Sequence, residues 1–264
     1  MSSFTAKDVQ ALRQATGAGM MDAKKALTAN DGDFDAAAKW LREQGLVKAA
    51  SRTDRENTQG AVAVARADGA VAMVELKSET DFSAKADDFV KTVTELADAV
   101  AARGEGAVTE LADQVDQMKI TKKENIEVGK VVRWEVDPAN VVDTYLHVQD
   151  GRGVNAVLVE VAGGSAELAH DIAVHIAFTK PEFLTRDEVP ADQVEAERGT
   201  LTDITRAEGK PEQALDKIVE GRLTGWFKER VLLEQGFVRD DKQTISQLLG
   251  DATIVRFDQI VIGG

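Results

Sequence analysis

The sequence predicts an α+β fold, in which a three-helix module precedes a core of two α+β units with antiparallel sheets, and a helical hairpin is inserted in the second unit. Three observations support this prediction. The chain begins with short amphipathic helices bounded by capping residues, two pairs of strand-like runs are each followed by a helix, and a long helical stretch is broken near its middle. The 264 residues suffice for one large domain or for roughly two to three small ones.

The composition excludes several classes of protein. The formal net charge of −14 creates a field that repels phosphate backbones, so we expect no direct nucleic-acid partner. The chain contains no cysteine, which excludes disulfides and thiolate metal sites and favours an intracellular compartment. Charged residues interrupt the amino terminus where a signal peptide would be apolar, and no run approaches the ~20 apolar residues of a membrane span. We therefore expect a soluble, cytoplasmic protein with no membrane partner.

Residues 1–50 are predicted to form a module of three short helices. Thr5 and Asp8 form a capping box at the start of the first helix, and Gly17 ends it. The second helix carries an apolar stripe of Met20, Ala23 and Leu27. The third begins after Asp33 and ends at a glycine stop, Gly45. Its buried stripe is predicted to comprise Phe34, Ala37, Ala38 and Leu41.

A polar linker over residues 51–59 is predicted to lead into the first core unit, residues 60–140. Two β-type runs, residues 61–67 and 70–76, flank Asp68-Gly69, which is a strong hairpin signal. Further along the chain, the pattern of residues 108–118 predicts a helix and that of residues 128–136 predicts a strand. Directly after the hairpin, a long helix is predicted from apolar residues spaced alternately by four and three, namely Phe82, Ala86, Phe89, Val93, Leu96 and Val100.

The second core unit, residues 141–264, repeats the pattern of a hairpin followed by a helix. Its hairpin turns at residues 150–153, and its helix ends before Pro181. Residues 189–235 are helical in pattern with a break at residues 209–211, which predicts a helical hairpin over about residues 185–235. The second helix of that hairpin has a broad apolar side that could mark an interface. Residues 253–262 alternate like a strand and are predicted to complete a sheet.

The sequence shows no constellation typical of an enzyme. A phosphate-binding loop and an HExxH motif are both missing, and the glycines at 17 and 19 follow a helix instead of a strand. His170 and His175 point about 140° apart on one helix, so they are poorly placed to bind one metal ion. We interpret His175 as a structural histidine. Hydrolase or transferase activity therefore has no support from the residues.

Two local features stand out. In the second helix, Met21, Lys24, Lys25 and Thr28 lie away from the apolar stripe and form a surface that suits protein binding, although composition equally allows Met21 to fill a gap between helices. The second feature is the segment 78–82 between the first hairpin and its helix. By periodicity alone, Phe82 is the first residue of the buried stripe.

At these two features the sequence resembles a known family. Residues 16–27 are similar to the amino-terminal signature of bacterial elongation factor Ts, and residues 79–82 (Glu-Thr-Asp-Phe) to its second signature. Further blocks resemble that family in order and spacing over nearly the whole chain. These blocks are Tyr145 with His147, Ile176-Ala177 with residues 180–183, residues 219–222, and residues 233–235 with Phe237-Val238.

The resemblance implies a fold and a function. Residues 1–50 would be a ubiquitin-associated-like module that docks on a GTPase, followed by the two α+β subdomains and the helical hairpin. The implied function is guanine nucleotide exchange on elongation factor Tu, in its GDP-bound and nucleotide-free forms, without covalent chemistry and without a cofactor. The alternative is a noncatalytic adaptor that holds another protein through the helical module. Whether the chain forms a homodimer, or a heterotetramer with its partner, stays open.

The resemblance also implies which residues act. Thr80, Asp81, Phe82 and Ser83 would press into the GTPase and dislodge Mg²⁺, with Phe82 as a partly exposed wedge and Asp81 as a polar contact. Displacing the metal would loosen the nucleotide, since Mg²⁺ neutralises phosphate charge. Ser83 departs from the valine that the family often has, and Gly236 from its proline. Further contacts with the partner are implied for Arg13, Met20, Met21, Lys24, His147, Gln235 and Phe237.

Overall fold

The computed structural model describes residues 4–263, which form two compact units. The first comprises residues 4–134, 148–154 and 261–263, and the second comprises residues 135–147 and 155–260. Residues 1–3 of the predicted helical module and residue 264 of the predicted second core unit lie outside the described residues. The division into a docking module, a linker and two core subdomains stays a prediction.

The first unit begins with three helices, α1 (Ala6–Thr16), α2 (Met20–Ala29) and α3 (Phe34–Ala50). The predicted caps are confirmed. The Thr5 hydroxyl accepts a hydrogen bond from the Asp8 amide, and the Asp8 carboxylate accepts one from the Thr5 amide at 2.7 Å. Asp33 caps α3 through the amide of Ala36. The helices enclose a small apolar core of Val9, Leu12, Ala23, Ala26, Leu27, Ala37 and Leu41.

A three-stranded sheet follows, with strand order β1 (Gln59–Ala67), β2 (Ala70–Ser78) and β3 (Glu127–Glu135). The first two strands form the predicted antiparallel hairpin, in which Ala67 pairs with Ala70 across Asp68-Gly69. Between β2 and β3 the chain forms α4 (Asp81–Ala84), α5 (Asp87–Arg103), a 3-10 segment (Glu105–Leu111) and α6 (Ala112–Lys122).

The prediction of one continuous helix from Phe82 is wrong. The chain leaves the helical path after α4, and Ala86 adopts an extended conformation as the N-cap of α5. The stripe that packs on the sheet therefore starts at Phe89 and continues through Val93, Leu96 and Val100, all of which are buried. Because α4 is a separate turn, it holds Phe82 outside this stripe.

Two predictions for the helical module are also wrong. Phe34 and Met20 were expected in buried stripes, but 38% and 49% of their respective surfaces are exposed. Each is the first residue of its helix, and side chains in a helix lean toward its N-terminus. These two side chains therefore extend beyond the end of the helix, where the neighbouring helices of the module no longer cover them. The other error concerns Gly45, which does not stop α3. There the side chain of Ile120 in α6 packs against the helix, and a Cβ at Gly45 would lie 2.8 Å from Ile120 Cγ2.

The second unit contains most of a sheet with strand order β4 (Asn140–Gln149), β5 (Arg152–Ala162) and β8 (Thr253–Val261). The predicted hairpin is β4 and β5, and the strand predicted at residues 253–262 completes a sheet, as expected. Helix α7 (Ala166–Thr179) packs Ile172 and Ile176 on the valines of β5. The predicted helical hairpin is formed by α8 (Ala191–Ala207) and α9 (Leu215–Arg230). A short pair, β6 (Gly236–Phe237) and β7 (Asp240–Thr244), and α10 (Ile245–Leu249) lead to β8.

The broad apolar side of α9 is largely covered. Leu223 and Phe227 are buried against Val189 and Val231, and Trp226 is half-buried beside them. The hairpin thus uses most of this surface internally. Within residues 4–263, no helix is both long and apolar enough to cross a membrane.

Gly45 offers a test of how α3 and α6 pack. Gly45→Ala should lower the free energy of unfolding, because overpacking against the stiff, β-branched Ile120 costs about 1–3 kcal/mol and the gain in helix propensity is about 0.5–1 kcal/mol. In an Ile120→Ala background the same substitution should raise it, since the obstructing atoms are gone. Urea unfolding of the four proteins measures this coupling. An equal effect of Gly45→Ala in both backgrounds would contradict the packing described.

Candidate protein-binding site

A phenylalanine ring projects from the surface of the first unit where β2 ends. Phe82 lies in the single turn of α4 and is 75% exposed, whereas the next two residues, Ser83 and Ala84, are buried. Thr80 caps this turn, because its hydroxyl accepts a hydrogen bond from the Ser83 amide at 3.2 Å. The backbone of the turn is therefore anchored while its ring stays outside the core. The expectation of a partly exposed ring is confirmed, and the assignment of Phe82 to the buried stripe is wrong.

Glu124, in the loop between α6 and β3, binds this turn through both carboxylate oxygens. Its Oε2 accepts hydrogen bonds from the amides of Glu79 and Thr80, each at 3.1 Å. Its Oε1 accepts from the hydroxyls of Thr80 at 2.7 Å and Ser83 at 2.6 Å. We call residues 79–83 the presenting loop. Sequence reasoning missed Glu124, since it is one of 46 acidic residues and lies 41 positions from Ser83.

A second carboxylate fastens the presenting loop from its own side. Glu79 Oε1 accepts a hydrogen bond from the Asn125 amide at 2.6 Å, so Glu79 and the pair Glu124-Asn125 exchange hydrogen bonds in both directions. The Asn125 side chain in turn donates to the carbonyl oxygens of Thr53 at 3.2 Å and Arg55 at 2.8 Å. Two other segments of the chain, residues 53–55 and 124–125, thereby fix the loop.

Lys85 connects the two exposed side chains of the presenting loop. Its Nζ lies 3.2 Å from an Asp81 carboxylate oxygen and 4.5 Å from the centroid of the Phe82 ring. The hydrogen bond from Lys85 lowers the pKa of Asp81, so this carboxylate is ionised at neutral pH. The ammonium over the ring is a cation–π contact. The loop therefore presents the Asp81–Lys85 ion pair and an aromatic ring side by side.

The four residues that the resemblance singled out have different positions. Asp81 and Phe82 face solvent, with the Asp81 side chain 47% exposed. Ser83 is buried with its hydroxyl on Glu124, and its contact with a partner stays a prediction. Thr80 is half-buried and caps the turn. Ser83 and Thr80 thus support the two residues that a partner could reach.

The helical module presents a second exposed surface. Met21 is 73% exposed on α2, and Lys24, Lys25 and Thr28 line the shallow open surface beside it. The alternative in which Met21 fills a gap between helices is therefore wrong. Arg13 is exposed on α1. An exposed, flexible methionine among cationic side chains suits an adaptable protein contact.

The module is joined to the rest of its unit through α6. Arg42 forms an ion pair with Asp113, and Arg52 donates a hydrogen bond to the Lys119 carbonyl at 3.2 Å. Gln117 donates to the Thr16 carbonyl at 3.4 Å. Together with Ile120 at Gly45, these contacts mean that deleting residues 1–50 would uncover α6. Point substitutions are therefore the cleaner test of this surface.

In the second unit, His147 is exposed near the end of β4, but Gln235 and Phe237 are buried. Gln235 Oε1 accepts hydrogen bonds from His175 Nε2 and the Thr179 hydroxyl, each at 2.9 Å, and its amide donates to the Glu229 carbonyl. These side chains are engaged inside the unit, and their contact with a partner stays a prediction. The neighbouring Val238 is the exposed apolar residue of this segment.

His175 organises that segment, as expected of a structural histidine. It is fully buried, and its Nδ1 accepts a hydrogen bond from the Val238 amide at 3.3 Å. Because Nδ1 accepts, Nε2 carries the proton that is donated to Gln235. Burial lowers the pKa of His175, which favours this neutral form. Within the described residues, no group of three or more His, Asp or Glu side chains could hold a metal ion.

Comparison with known proteins gives a consistent result. The family model described as elongation factor TS matches residues 79–264. The elongation factor Ts of Clavibacter sepedonicus is 42% identical, with 100% of both chains covered. That of Saccharopolyspora erythraea is 43% identical over 100% of this chain and 99% of the relative. That of Micrococcus luteus is 44% identical over 96% of this chain and 95% of the relative.

The pairing of Lys85 with Asp81 predicts a measurable pKa change. Lys85→Met should raise the pKa of Asp81 toward its ordinary value, because the hydrogen bond that favours the carboxylate is lost. In the unmodified protein the Asp81–Lys85 ion pair should persist as the pH falls, until the pH reaches the lowered pKa of Asp81 and protonation of the carboxylate breaks the pair. NMR titration of the Asp81 carboxyl carbon measures both.

The matched control is Lys91→Met, which removes an exposed lysine that pairs with Glu95 on α5. It should leave the titration of Asp81 unchanged. If Asp81 titrated identically with Met or Lys at position 85, the described ion pair would be wrong.

Proposed function

This chain belongs to the elongation factor Ts family, whose role is in translation elongation, and we propose that it is a guanine nucleotide exchange factor for elongation factor Tu. The observation that carries the proposal is the exposed Phe82 ring on an anchored turn, next to the ionised Asp81. A ring held outside the core is available to a partner. The reaction is a change of binding equilibria and needs no covalent chemistry from this chain.

The physical basis of exchange is reciprocal coupling between two ligands of one GTPase. If this chain binds the nucleotide-free conformation more tightly than the GDP-bound one, GDP must weaken its binding by the same factor, and it must weaken GDP binding equally. A contact contributes to exchange only if it differs between the two conformations. Side chains that are exposed on this chain and become buried against only one conformation of the GTPase are the natural source of such a difference.

Phe82 can supply a large share of this coupling. Burying an exposed phenylalanine side chain contributes about 1.5–3 kcal/mol. If the pocket for the ring opens only as the nucleotide site loosens, this corresponds to roughly a ten- to hundredfold weakening of GDP, since each 1.4 kcal/mol is tenfold. Asp81 would add a negative charge beside the site, where it opposes the Mg²⁺–phosphate arrangement that holds the nucleotide.

The surface on the helical module supports a docking role. Met20, Met21, Lys24 and Arg13 would hold the GTPase before the presenting loop acts, and exposed His147 would add a contact from the second unit. The same surface would also suit the alternative function, a noncatalytic adaptor that binds a protein without accelerating nucleotide release. Phe82 favours exchange, because an adaptor does not require a wedge of this kind.

Phe82→Ala should slow GDP release about tenfold or more at saturating factor, because the buried ring is lost from the complex. Its unfolding temperature should stay within roughly 2 °C of that of the unmodified protein, as expected for an exposed side chain. Stopped-flow release of fluorescent GDP from elongation factor Tu measures the first quantity and calorimetry the second.

The chain offers a closely matched control in Phe178, which is 77% exposed on α7. Phe178→Ala should release GDP at the unmodified rate. If Phe82→Ala had no effect on release, or lowered the unfolding temperature by many degrees, the wedge role would be refuted.

Met21→Ala should weaken binding to elongation factor Tu about three- to tenfold while leaving the maximal rate of GDP release nearly unchanged, since docking and loosening use different residues. Titration of the release rate against factor concentration separates the two quantities. Val47→Ala serves as the control, because Val47 is 68% exposed on α3 and has no proposed contact. Equal half-saturating concentrations for Met21→Ala and the unmodified protein would argue against docking through Met21.

A further inference from the structure

The hydrogen bonds of Glu124 are directed almost entirely at one feature of the molecule. A carboxylate offers about four acceptor positions. In Glu124 four donors use them, namely the amides of Glu79 and Thr80 and the hydroxyls of Thr80 and Ser83. These donors lie on both sides of Asp81 and Phe82 in the chain. The carboxylate therefore fixes the two ends of the turn that presents them.

We propose that Glu124 is a positioning residue for nucleotide exchange, which holds the presenting loop in the conformation that enters the partner. The inference rests on the proposed function. Glu124 acts through Phe82 and Asp81 and need not contact the GTPase itself.

The presenting loop is also held by the Thr80 cap and by the bonds of Glu79 to Asn125 and Arg55. Among the hydrogen bonds described from distant segments, only those of Glu124 reach both sides of Asp81 and Phe82. Helix α4 has only 4 residues, and a single helical turn is intrinsically unstable because nucleation fixes several residues for few hydrogen bonds. Its largest side chain, Phe82, packs no core. Hydrogen bonds to a charged acceptor are stronger than those between neutral groups. The order of the loop thus depends on the carboxylate.

Preorganisation of this loop would act on the exchange step more than on docking. If only a fraction of molecules holds the loop in the correct conformation, the apparent equilibrium constant for inserting the ring is multiplied by that fraction. Docking through the helical module does not depend on the loop. Losing Glu124 should therefore lower the maximal rate of GDP release and leave the half-saturating concentration nearly unchanged.

The chemistry requires both oxygens. A glutamine at position 124 keeps the shape, but it turns one side of the group into a donor that would face other donors. Glu127 provides a matched control three residues away, since it accepts a hydrogen bond from the half-buried Asn57 side chain and does not contact the presenting loop within the hydrogen bonds described. Ser83→Ala tests the same contact from the donor side by removing a single hydroxyl.

The experiment measures GDP release from elongation factor Tu against factor concentration for the unmodified protein, Glu124→Gln, Ser83→Ala and Glu127→Gln. Each substitution is also made in a Phe82→Ala background. NMR amide exchange of residues 79 and 80 reports the order of the loop directly and needs no partner.

We expect Glu124→Gln to lower the maximal rate about tenfold, with a half-saturating concentration within about twofold, and to speed amide exchange at residues 79 and 80 about tenfold. Ser83→Ala should lower the maximal rate about two- to threefold, which keeps the proposal testable if Glu124→Gln does not fold. Glu127→Gln should behave like the unmodified protein. In the Phe82→Ala background, Glu124→Gln should add less than about twofold, because its effect passes mainly through the ring.

Three results would overturn the inference. They are an unchanged maximal rate in Glu124→Gln, an equally large effect of Glu124→Gln with and without Phe82, and unchanged amide exchange in the loop. If the unmodified protein itself failed to accelerate GDP release, the proposed function would fall and the positioning role with it. If it did accelerate release and Glu124→Gln equalled it, only the role of Glu124 would fall.

Discussion

The geometry of the candidate site depends on a carboxylate that accepts four hydrogen bonds. Glu124 satisfies two backbone amides and two hydroxyls at the end of β2, in a place where the sheet has ended and α5 has not begun. Without it these donors would need water or other partners, and the single turn of α4 would keep only the Thr80 cap and the contacts of Glu79. Phe82 and Asp81 take their positions from this contact. The exposed ring is therefore a consequence of a satisfied polar network beneath it.

The protein keeps its binding residues apart from the residues that stabilise its fold. The sheet and α5 bury Phe89, Leu96 and their neighbours completely, so the core does not need Phe82. The helical module likewise encloses Leu12 and Leu27 and leaves Met21 outside. In the second unit, the buried His175 and Gln235 hold the segment that exposes Val238. Apolar surface left outside in this way is free to contribute to binding a partner.

Most of the fold could be predicted from sequence because its signals are local. The capping box at Thr5, the hairpin at Asp68-Gly69 and the stripe from Phe89 to Val100 each depend on residues within a few positions of one another. One error arose where a distant residue decides the outcome. Gly45 accommodates Ile120 of another helix, which a pattern of local stop signals cannot reveal.

The candidate site was predicted in part for the same reason. The surface of Met21 and Lys24 follows from helical periodicity, and the exposure of Phe82 was expected only from the family resemblance. The internal hydrogen bonds of Ser83 and Gln235 were not predicted, because their partners, Glu124 and His175, lie 41 and 60 positions away. A hydrogen-bonding side chain can serve a partner or the interior, and its type alone does not distinguish the two.

The most direct test of the central claim is the release of fluorescent GDP from elongation factor Tu, with excess unlabelled nucleotide and a catalytic amount of this protein. If the proposed function is correct, one molecule of the protein releases GDP from many molecules of the GTPase, at a rate that rises with its concentration. Measurable binding to the GTPase with no acceleration of release would contradict it and would support the adaptor function.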